Sequence, residues 1–354
     1  MLLYDNEPFT EQYDYSDYYS LNGTSDAQPC DNDNIKKFGT VLLPVCYSLV
    51  FVFGFTGNTL CLLDLIIYNK MKRLTDTCLL NLAISNMLFV FSLPFLAHYA
   101  REQWIFGSVM CKVVSMFYLL GYYSGIFFIT LMSIEQYLIV LRHKFEFKVK
   151  TITFKLTSNA AVWGMAFLAS LPQLKFSEEQ RDEDILTCRP KYPSDGWKLF
   201  LNFETNILGL IIPLIIMVFC YVSIIQYLIK KPNSDSKKAI KRVLAIVLLF
   251  FIFWTPYNIV IFMNTLTHLK MLNDCETSKK IFFAMQGTET FAFFHCCLNP
   301  FVYAFVGKTF WNHLCAFAKA NTCMMPFFKW CKKITAEQVP SFHSQSKTSC
   351  ETNL

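Results

Sequence analysis

The chain has 354 residues, of which 54% are hydrophobic and only 16% are charged. Its mean hydropathy is +0.34. Ordinary soluble domains carry about 25% charged and about 45–50% apolar residues, so this composition excludes a typical soluble enzyme. It excludes a disordered chain as well, because such chains are poor in apolar residues. The apolar excess predicts a protein that spans a membrane.

The formal net charge of +6 conceals an uneven distribution of charge along the chain. Residues 1–34 contain eight acidic side chains and no lysine or arginine, so the remainder carries a net charge of +14. A secretory signal peptide begins with a basic stretch, whereas this chain begins with an acidic one. We therefore expect residues 1–38 to form an acidic tail and the first apolar stretch to act as an uncleaved signal anchor.

Seven apolar segments follow the tail. Each is longer than the roughly 20 residues that a helix needs to cross about 30 Å of hydrocarbon. None alternates with period two, so a β-barrel is poorly supported. The predicted spans are 39–68, 76–99, 109–140, 153–174, 199–229, 238–266 and 280–306. The expected fold is an all-α bundle of seven transmembrane helices over residues 39–306.

Basic residues follow the first, third, fifth and seventh predicted spans. The excess of lysine and arginine in cytoplasmic loops predicts that these four connections lie inside the cell. The amino-terminal tail is then outside, and residues 307–354 form a cytoplasmic helix and tail. The protein is expected in the plasma membrane as a multi-pass protein.

The predicted outer side contains four of the fourteen cysteines, namely Cys30, Cys111, Cys188 and Cys275. Disulfides persist in such an oxidising environment, and four cysteines allow three connectivities. The tail also contains a glycosylation sequon at Asn22.

Four tyrosines of the tail lie among acidic residues, which favours tyrosine sulfation: Tyr13, Tyr15, Tyr18 and Tyr19. The alternative is an acidic tail that is merely disordered. In either case, the tail and the acidic residues of the second outer loop predict an electronegative surface. Such a surface attracts a basic partner and speeds its encounter with the protein.

Polar and kink-forming residues recur at fixed depths in the seven spans. In chain order they are Gly57, Asn58, Asn81, Asn86, Glu135, Gln136, Tyr137, Trp163, Pro213, Tyr221, Trp254, Thr255, Pro256, Asn299, Pro300, Phe301, Val302 and Tyr303. This set, in this order, resembles the rhodopsin-like G-protein-coupled receptors over roughly residues 30–310.

Narrower features resemble the chemokine receptors. They are the extra cysteine pair, Ser92-Leu93-Pro94, Trp104-Ile105-Phe106-Gly107 and His295-Cys296-Cys297-Leu298-Asn299-Pro300. Residues 103–117, 127–133 and 206–220 are similar to the type 8 receptors of the CC group. Departures from the usual pattern resemble a virus-encoded (poxviral) homologue, for which the membrane would be that of the host cell.

The resemblance implies two disulfides, Cys111–Cys188 and Cys30–Cys275, and a two-step binding mode. The acidic tail would hold a basic CC-type chemokine, whose amino terminus would enter the bundle. The matching pocket positions are Tyr47, Tyr118, Tyr257 and Glu289. A carboxylate such as Glu289 is costly in a bilayer unless it faces water or a cation, here the terminal amine of the chemokine. The alternative is a structural bond from Glu289 to a neighbouring helix.

Leu96 replaces a tryptophan that many relatives have in this pocket. The family's switch positions are retained and match Tyr221, Trp254, Pro256, Asn299, Pro300 and Tyr303.

The acid-arginine-tyrosine motif of the family reads Glu135-Gln136-Tyr137 in this chain. Glutamine has no charge and lacks the five-donor fork of arginine, so Glu135 is expected to lack its usual partner. Two consequences are open: a less firmly held resting state, or weaker contact with the G-protein. The resemblance alone does not choose between them.

The family's sodium-binding aspartate reads Asn86 here. An amide is a weaker ligand for a hard cation than a carboxylate, so we expect little sensitivity to sodium.

The leading functional hypothesis is a chemokine receptor that signals through an inhibitory heterotrimeric G-protein. Its serine- and threonine-rich tail would allow arrestin recruitment, and its bundle would contact membrane lipid. The alternative is a decoy receptor that binds and internalises chemokine without G-protein coupling. A transporter is disfavoured because ionisable groups in the middle of the spans are nearly confined to Glu289. The sequence contains no recognisable catalytic or metal-binding motif, and we expect no cofactor and no nucleic-acid partner.

Overall fold

The computed structural model describes residues 33–67, 74–141, 151–182, 185–230, 237–269, 271 and 275–306. The chain divides into two compact units, residues 1–302 and 303–354. The described residues belong to the first unit, apart from the last helical turn before residue 307.

The described helices follow one another with short connections. Their bounds are α1 (Asp33–Ile67), α2 (Leu74–Arg101), α3 (Gly107–Leu141), α4 (Ile152–Phe176), α5 (Asp195–Asn206), α6 (Ile212–Lys230), α7 (Lys237–His268), α8 (Cys275–Phe293) and α9 (His295–Val306). A π-helical turn, Ile207–Ile211, joins α5 to α6, so these three segments form one continuous fifth span. A break at Phe294 divides the seventh span into α8 and α9.

These helices confirm the predicted bundle of seven. By length and hydropathy alone, five of the spans in the described residues qualify to cross a membrane. The fourth and seventh fall short because α4 is rich in hydroxyl, amide and lysine side chains, and because α8 begins with a charged turn. Apolar side chains on the outer faces are exposed, as Leu168 (65%) and Ile215 (63%) illustrate. An apolar outer surface of this extent fits a bilayer.

A β-hairpin follows α4, and the sequence analysis did not predict it. Strand β1 (Ser177–Asp182) pairs with β2 (Ile185–Pro190) in antiparallel register, with Glu179 opposite Cys188. The backbone N–H of Trp104 donates to Leu186 O at 2.8 Å, which attaches the hairpin to the loop between α2 and α3. We call this end of the bundle the hairpin end, and the end at which α2 begins and α3 ends the opposite end.

Helix α3 is the centre of the bundle, since it contacts α2, α4, α6 and α7. It approaches α2 most closely at Gly121, where an added Cβ would lie 2.7 Å from Ser85 O. Small residues allow helix backbones to approach in this way within a membrane. The close approach fixes α2 against α3, and the two carboxylates described below depend on these helices and on α8.

Amide side chains fasten α2 to α4. The indole Nε1 of Trp163 donates to Asn81 Oδ1 at 2.9 Å, and Asn81 Nδ2 donates to Asn159 Oδ1 at 3.0 Å. Hydrogen bonds between helices in a membrane are worth about 0.6–2 kcal/mol each. Asn81 and Trp163 are thus structural links between spans.

Candidate functional site

The carboxylate of Glu289 lies in the interior, on α8, and faces α3. Glu289 is only 4% exposed, and Tyr118 Oη donates to its Oε1 at 2.9 Å. A buried carboxylate is costly unless it is hydrogen-bonded or paired with a cation. The hydroxyl of Tyr118 supplies a hydrogen bond but is neutral, so it does not compensate the negative charge of an ionised Glu289.

Aromatic rings surround this carboxylate. Tyr47 packs on Phe293 with ring centroids 5.3 Å apart, and Phe293 packs on Phe89 at 4.9 Å. Tyr47 is also close enough to Glu289 to interact with it electrostatically. Aromatic faces are electronegative and attract cations. The surroundings of Glu289 therefore suit an ammonium or guanidinium group.

Tyr257 on α7 lies beside both Tyr118 and Glu289. The structure thus brings together all four pocket residues named from the sequence, namely Tyr47, Tyr118, Tyr257 and Glu289. Tyr118 and Tyr257 also line a small cavity, and Tyr122, Gln173 and Glu204 line it with them. Leu96, at the position where many relatives have a tryptophan, is buried at 4% exposure.

The same cavity reaches Trp254, one of the predicted switch residues. The ring of Trp254 lies 4.4 Å from that of Tyr122 and 6.4 Å from that of Phe89. Pro256 follows within α7, and one turn after Trp254 the side chain of Asn258 donates to Trp254 O at 2.9 Å. A continuous set of packed rings therefore links the surroundings of Glu289 to Trp254.

A disulfide joins Cys111 at the start of α3 to Cys188 on β2, with Cα atoms 5.6 Å apart. It ties the hairpin to the bundle, as the resemblance implied. The indole of Trp104 donates to Gly107 O at 3.0 Å and is fully buried beside it. Gly107 has φ +79°, a left-handed conformation that glycine adopts without a steric penalty.

At the opposite end, a second buried carboxylate has a partner that the sequence analysis missed. Thr75 Oγ1 donates to Glu135 Oε2 at 2.5 Å, and Gln136 Nε2 donates to Thr75 Oγ1 at 3.1 Å. All three side chains are buried. Glu135 lacks the family's usual arginine partner, and a threonine hydroxyl takes its place. We call Glu135, Thr75 and Gln136 the hydroxyl bridge.

Thr75 is the second residue of α2, where backbone N–H groups have no partner within the helix. The positive end of a helix dipole favours a nearby carboxylate. The backbone N–H of Thr75 also bonds to Glu135. A threonine in the first turn of a helix indicates a hydrogen-bonding role, but only the packing of α2 on α3 shows that its partner is Glu135.

The other switch residues lie on α3, α6 and α9. The ring of Tyr137 packs on Phe219 with centroids 5.5 Å apart, and Tyr221 is buried at 6% exposure. Asn299 is buried at 6% exposure, and Pro300 follows it within α9. Tyr303 also belongs to α9, but its side chain lies outside the described residues.

A polar layer crosses the middle of the bundle. Asn86 Nδ2 donates to Asn58 Oδ1 at 2.9 Å, and Asn58 Nδ2 donates to Cys296 O at 3.0 Å. Asn86 therefore uses its amide as a donor to α1. Within the described ranges, no group of three His, Cys, Asp or Glu side chains is arranged to hold a metal ion.

Several predicted residues lie outside the described part of the chain. They are Tyr13, Tyr15, Tyr18, Tyr19, Asn22, Cys30 and the whole of residues 307–354. Cys275 begins α8, but its side chain is not described, so the pairing Cys30–Cys275 stays a prediction.

Comparisons with known proteins agree with this geometry. The family described as "7 transmembrane receptor (rhodopsin family)" matches residues 57–303. The human C-C chemokine receptor type 4 is 44% identical over 337 residues, which cover 94% of this chain and 93% of the relative.

Two further human relatives have comparable similarity. C-C chemokine receptor type 1 is 39% identical over 349 residues, 98% of this chain and 97% of the relative. C-C chemokine receptor type 8 is 41% identical over 344 residues, 96% of this chain and 92% of the relative. The resemblance to the CC group is confirmed, while the identities do not separate type 8 from type 4.

Proposed function

Because this chain belongs to the rhodopsin family of seven-transmembrane receptors, and within it to the CC chemokine receptors, we propose that it binds a basic CC-type chemokine and signals through an inhibitory heterotrimeric G-protein. It is a chemokine receptor of the plasma membrane, which the chain crosses several times, and not an enzyme. The ligand class within CC chemokines, the G-protein type and the direction of the chain in the membrane are parts of the proposal.

The observation that supports ligand binding most strongly is the environment of Glu289. Its carboxylate is buried, bonded only to a neutral hydroxyl among the described side chains, and surrounded by Tyr47, Tyr257 and other aromatic residues. In this proposal the terminal ammonium of the chemokine enters from the hairpin end and pairs with Glu289. The positive charge then neutralises the carboxylate where water is scarce, so the pair is strong.

The body of the chemokine is proposed to contact the acidic tail, with Tyr13, Tyr15, Tyr18 and Tyr19 sulfated. Acidic residues of the hairpin extend the same surface, including Glu178, whose carboxylate lies 3.4 Å from Lys191 Nζ. Opposite charge speeds the encounter of two proteins and fixes their register. The second disulfide, Cys30–Cys275, and a glycan on Asn22 belong to this proposal.

Binding is proposed to reach the opposite end through the packed rings of α3 and α7. Tyr118 contacts both Glu289 and Phe89, and Phe89 contacts Trp254. A ligand that displaces Tyr118 moves rings against which Trp254 packs. Tyr221, Pro256, Asn299, Pro300 and Tyr303 are the proposed moving parts beyond it.

The hydroxyl bridge supports a receptor that signals rather than one that binds chemokine without G-protein coupling. In this proposal Gln136 holds α3 to α2 through Thr75 in the resting state and leaves Thr75 when the receptor activates. Glutamine then presents both a donor and an acceptor to the G-protein, although without positive charge. Arrestin recruitment by the serine- and threonine-rich tail and a viral origin in a host-cell membrane stay predictions.

The second candidate function is a decoy receptor that binds and internalises chemokine without G-protein coupling. The observation that favours it is Gln136 itself, because an amide cannot replace the bidentate, charged contacts of arginine. The two candidates share ligand binding and differ only at the opposite end of the bundle.

The deciding experiment compares the wild-type receptor with Gln136→Arg in cells. A panel of CC chemokines is tested for surface binding and for activation of an inhibitory G-protein in the same preparation. If the wild type binds and signals, the proposed function stands. If it binds silently and Gln136→Arg restores signalling, the decoy function replaces it.

Gln136→Asn is the matched control for this pair, since it keeps the amide but shortens the side chain. The control separates the gain of positive charge in Gln136→Arg from a loss of the contact with Thr75. Absence of binding to every CC chemokine, with normal surface expression, would contradict both candidates.

A further inference from the structure

The cavity beneath the hairpin contains a second carboxylate, Glu204, that neither the sequence motifs nor the proposed function uses. Glu204 belongs to α5 and lines the same cavity as Tyr118 and Tyr257. Its Oε2 is buried and receives no hydrogen bond from the part of the chain that the structure describes. Nor does any lysine, arginine or histidine described here pair with it.

Three tyrosine hydroxyl groups around this cavity already have partners. Tyr118 donates to Glu289, and Tyr123 Oη lies 3.4 Å from the hydroxyl of Thr205. Tyr122 Oη accepts from Asn258 Nδ2 at 3.4 Å. Among the described side chains that line the cavity, the indole Nε1 of Trp254 and Oε2 of Glu204 lack a hydrogen-bond partner, and the oxygen of Glu204 is the one on an acidic group.

A buried polar atom without a partner costs about 1–3 kcal/mol, and more if it is charged. Intramembrane carboxylates in general face a partner or a functional cavity. Glu204 lines a tyrosine-rich cavity and has an unsatisfied carboxylate oxygen, so it has the chemistry to bind an ammonium or guanidinium group. Glu204 thus has the same preference for a cation as Glu289, at a different place in the bundle.

The two carboxylates lie on different elements, since Glu204 is on α5 and Glu289 is on α8. The rings of Tyr118 and Tyr257 connect them, because both line the cavity and both lie beside Glu289. A ligand that fills the cavity meets Glu204, and a group that reaches past the two rings meets Glu289. This arrangement fits a ligand segment with two cationic groups.

We propose that Glu204 binds a second cationic group of the ligand, a lysine or arginine side chain in its amino-terminal segment, while Glu289 binds the terminal ammonium. This inference rests on the proposed function for its ligand. It makes Glu204 a specificity-determining residue that selects segments with a basic side chain over neutral ones.

The test uses the full-length receptor in cell membranes and a CC chemokine from the binding panel that has an arginine in its amino-terminal segment. Two altered chemokines are compared with it: one with that arginine replaced by citrulline, and one with an acetylated terminus. For the wild type, each alteration is expected to weaken binding by about tenfold or more.

The receptor variants Glu204→Gln and Glu289→Gln should divide these effects. Glu204→Gln weakens binding of the unmodified chemokine by a similar factor and abolishes the further loss from citrulline, but the loss from acetylation remains. Glu289→Gln should abolish the further loss of affinity from acetylation, while the loss from citrulline remains. Glu178→Gln is the matched control for charge, because it removes a negative charge from the hairpin surface and not from the cavity. Whatever it does to the overall affinity, the losses from citrulline and from acetylation should both remain.

The inference is overturned if Glu204→Gln leaves chemokine affinity unchanged. It is also overturned if the citrulline replacement weakens binding to Glu204→Gln by as large a factor as it weakens binding to the wild type. In either case a loss of affinity in Glu289→Gln still supports the proposed function. A wild type that binds no chemokine would contradict the proposed function instead. A second measurement then tests Glu204 without a chemokine.

That measurement places a thiol in the cavity wall by Leu201→Cys, a residue 9% exposed that lines the cavity. Rates of modification by a cationic and an anionic methanethiosulfonate reagent are compared, with the unsubstituted receptor as background. An ionised Glu204 favours the cationic reagent, so adding Glu204→Gln should lower the ratio of the two rates by several-fold. A ratio that does not change would overturn the inference, since Glu204 would then be neutral or turned away.

Discussion

The two ends of the bundle bury a carboxylate in the same way and differ in what lies beside it. Glu289 is 4% exposed and accepts a hydrogen bond from Tyr118, while Glu135 is 1% exposed and accepts one from Thr75. In both places a neutral hydroxyl takes the position that a cation occupies in a salt bridge. Lys155 is near enough to Glu135 to interact with it electrostatically, but the side-chain hydrogen bond that this carboxylate accepts comes from Thr75.

The two sites differ in the second partner of the hydroxyl group that bonds to the carboxylate. The hydroxyl that caps Glu135 also accepts from Gln136, so the hydroxyl bridge is closed within the protein. The hydroxyl of Tyr118 also has a second partner, Tyr257, but both of these rings line a cavity. A capped carboxylate with a cavity beside it can bind a ligand cation, whereas one enclosed by other side chains holds two helices together.

The largest expected effect comes from Glu289→Gln. Removing the charge should weaken chemokine affinity by about tenfold or more, because a buried ion pair is lost and an amide remains in its place. Displacement of a labelled chemokine from membranes without G-protein measures it. Glu135→Gln, the matching change at the opposite end, should leave affinity nearly unchanged, and equal losses for the two variants would contradict the comparison.

The next largest effect is expected from Thr75→Val, which keeps the shape of the side chain and removes its hydroxyl. Glu135 and Gln136 then lose their common partner, at a cost of about 1–3 kcal/mol for an unsatisfied buried group. The expected result is a lower thermal stability in detergent and higher G-protein activation without ligand. Thr75→Ser keeps the hydroxyl and should behave like the wild type; if it fails as Thr75→Val does, the methyl group and not the bridge is responsible.

A smaller effect is expected from Tyr118→Phe. The carboxylate of Glu289 loses its cap but keeps its charge and its surrounding rings, so thermal stability should fall by about 1 kcal/mol. Chemokine affinity should change much less than in Glu289→Gln. Tyr123→Phe, whose hydroxyl faces Thr205 and not an acid, is the control for loss of a buried tyrosine hydroxyl. A loss of affinity as large as that of Glu289→Gln would mean that the ligand contacts the Tyr118 hydroxyl itself.

The smallest expected effect is that of sodium. Because Asn86 is an amide and donates to Asn58, exchanging sodium for choline should leave agonist affinity unchanged. Asn86→Asp restores a hard anionic ligand and should introduce a sodium effect. An undiminished sodium effect in the wild type would show that other oxygen atoms of the polar layer hold the ion.

Most of the bundle could be predicted from the sequence, because apolar length directly reports the thickness of a bilayer. The predicted third span, 109–140, differs from α3 by two residues at its start and one at its end. The first span begins six residues earlier than predicted, within the charged stretch that precedes the apolar run. Helix ends depend on capping and packing more than on hydropathy, so such differences are expected.

The β-hairpin and the break at Phe294 could not be predicted in this way. Strand β1 reads Ser-Glu-Glu-Gln-Arg-Asp, which lacks the β-branched and aromatic residues typical of strands. Its pairing depends on the Cys111–Cys188 bond and on contacts with the loop between α2 and α3. Such tertiary contacts leave no local pattern.

The candidate sites show the same division. Glu289 and its tyrosines could be named because they match positions of a known family. Thr75 and Glu204 could not, since a threonine in a first helical turn and a glutamate near the end of a span are ordinary features. Only the packing of α2 on α3 and of α5 over the cavity gives these two residues their roles.

The most direct test of the account is a crossed comparison of Glu289→Gln and Thr75→Val in one membrane preparation, with chemokine affinity and ligand-independent G-protein activation measured for both. The account predicts that Glu289→Gln lowers affinity and leaves basal activation unchanged, while Thr75→Val raises basal activation without that loss of affinity. If Thr75→Val leaves basal activation at the wild-type level while a chemokine still activates it, the hydroxyl bridge does not hold the resting state. In that case the central claim, that this bridge replaces the missing arginine, is wrong.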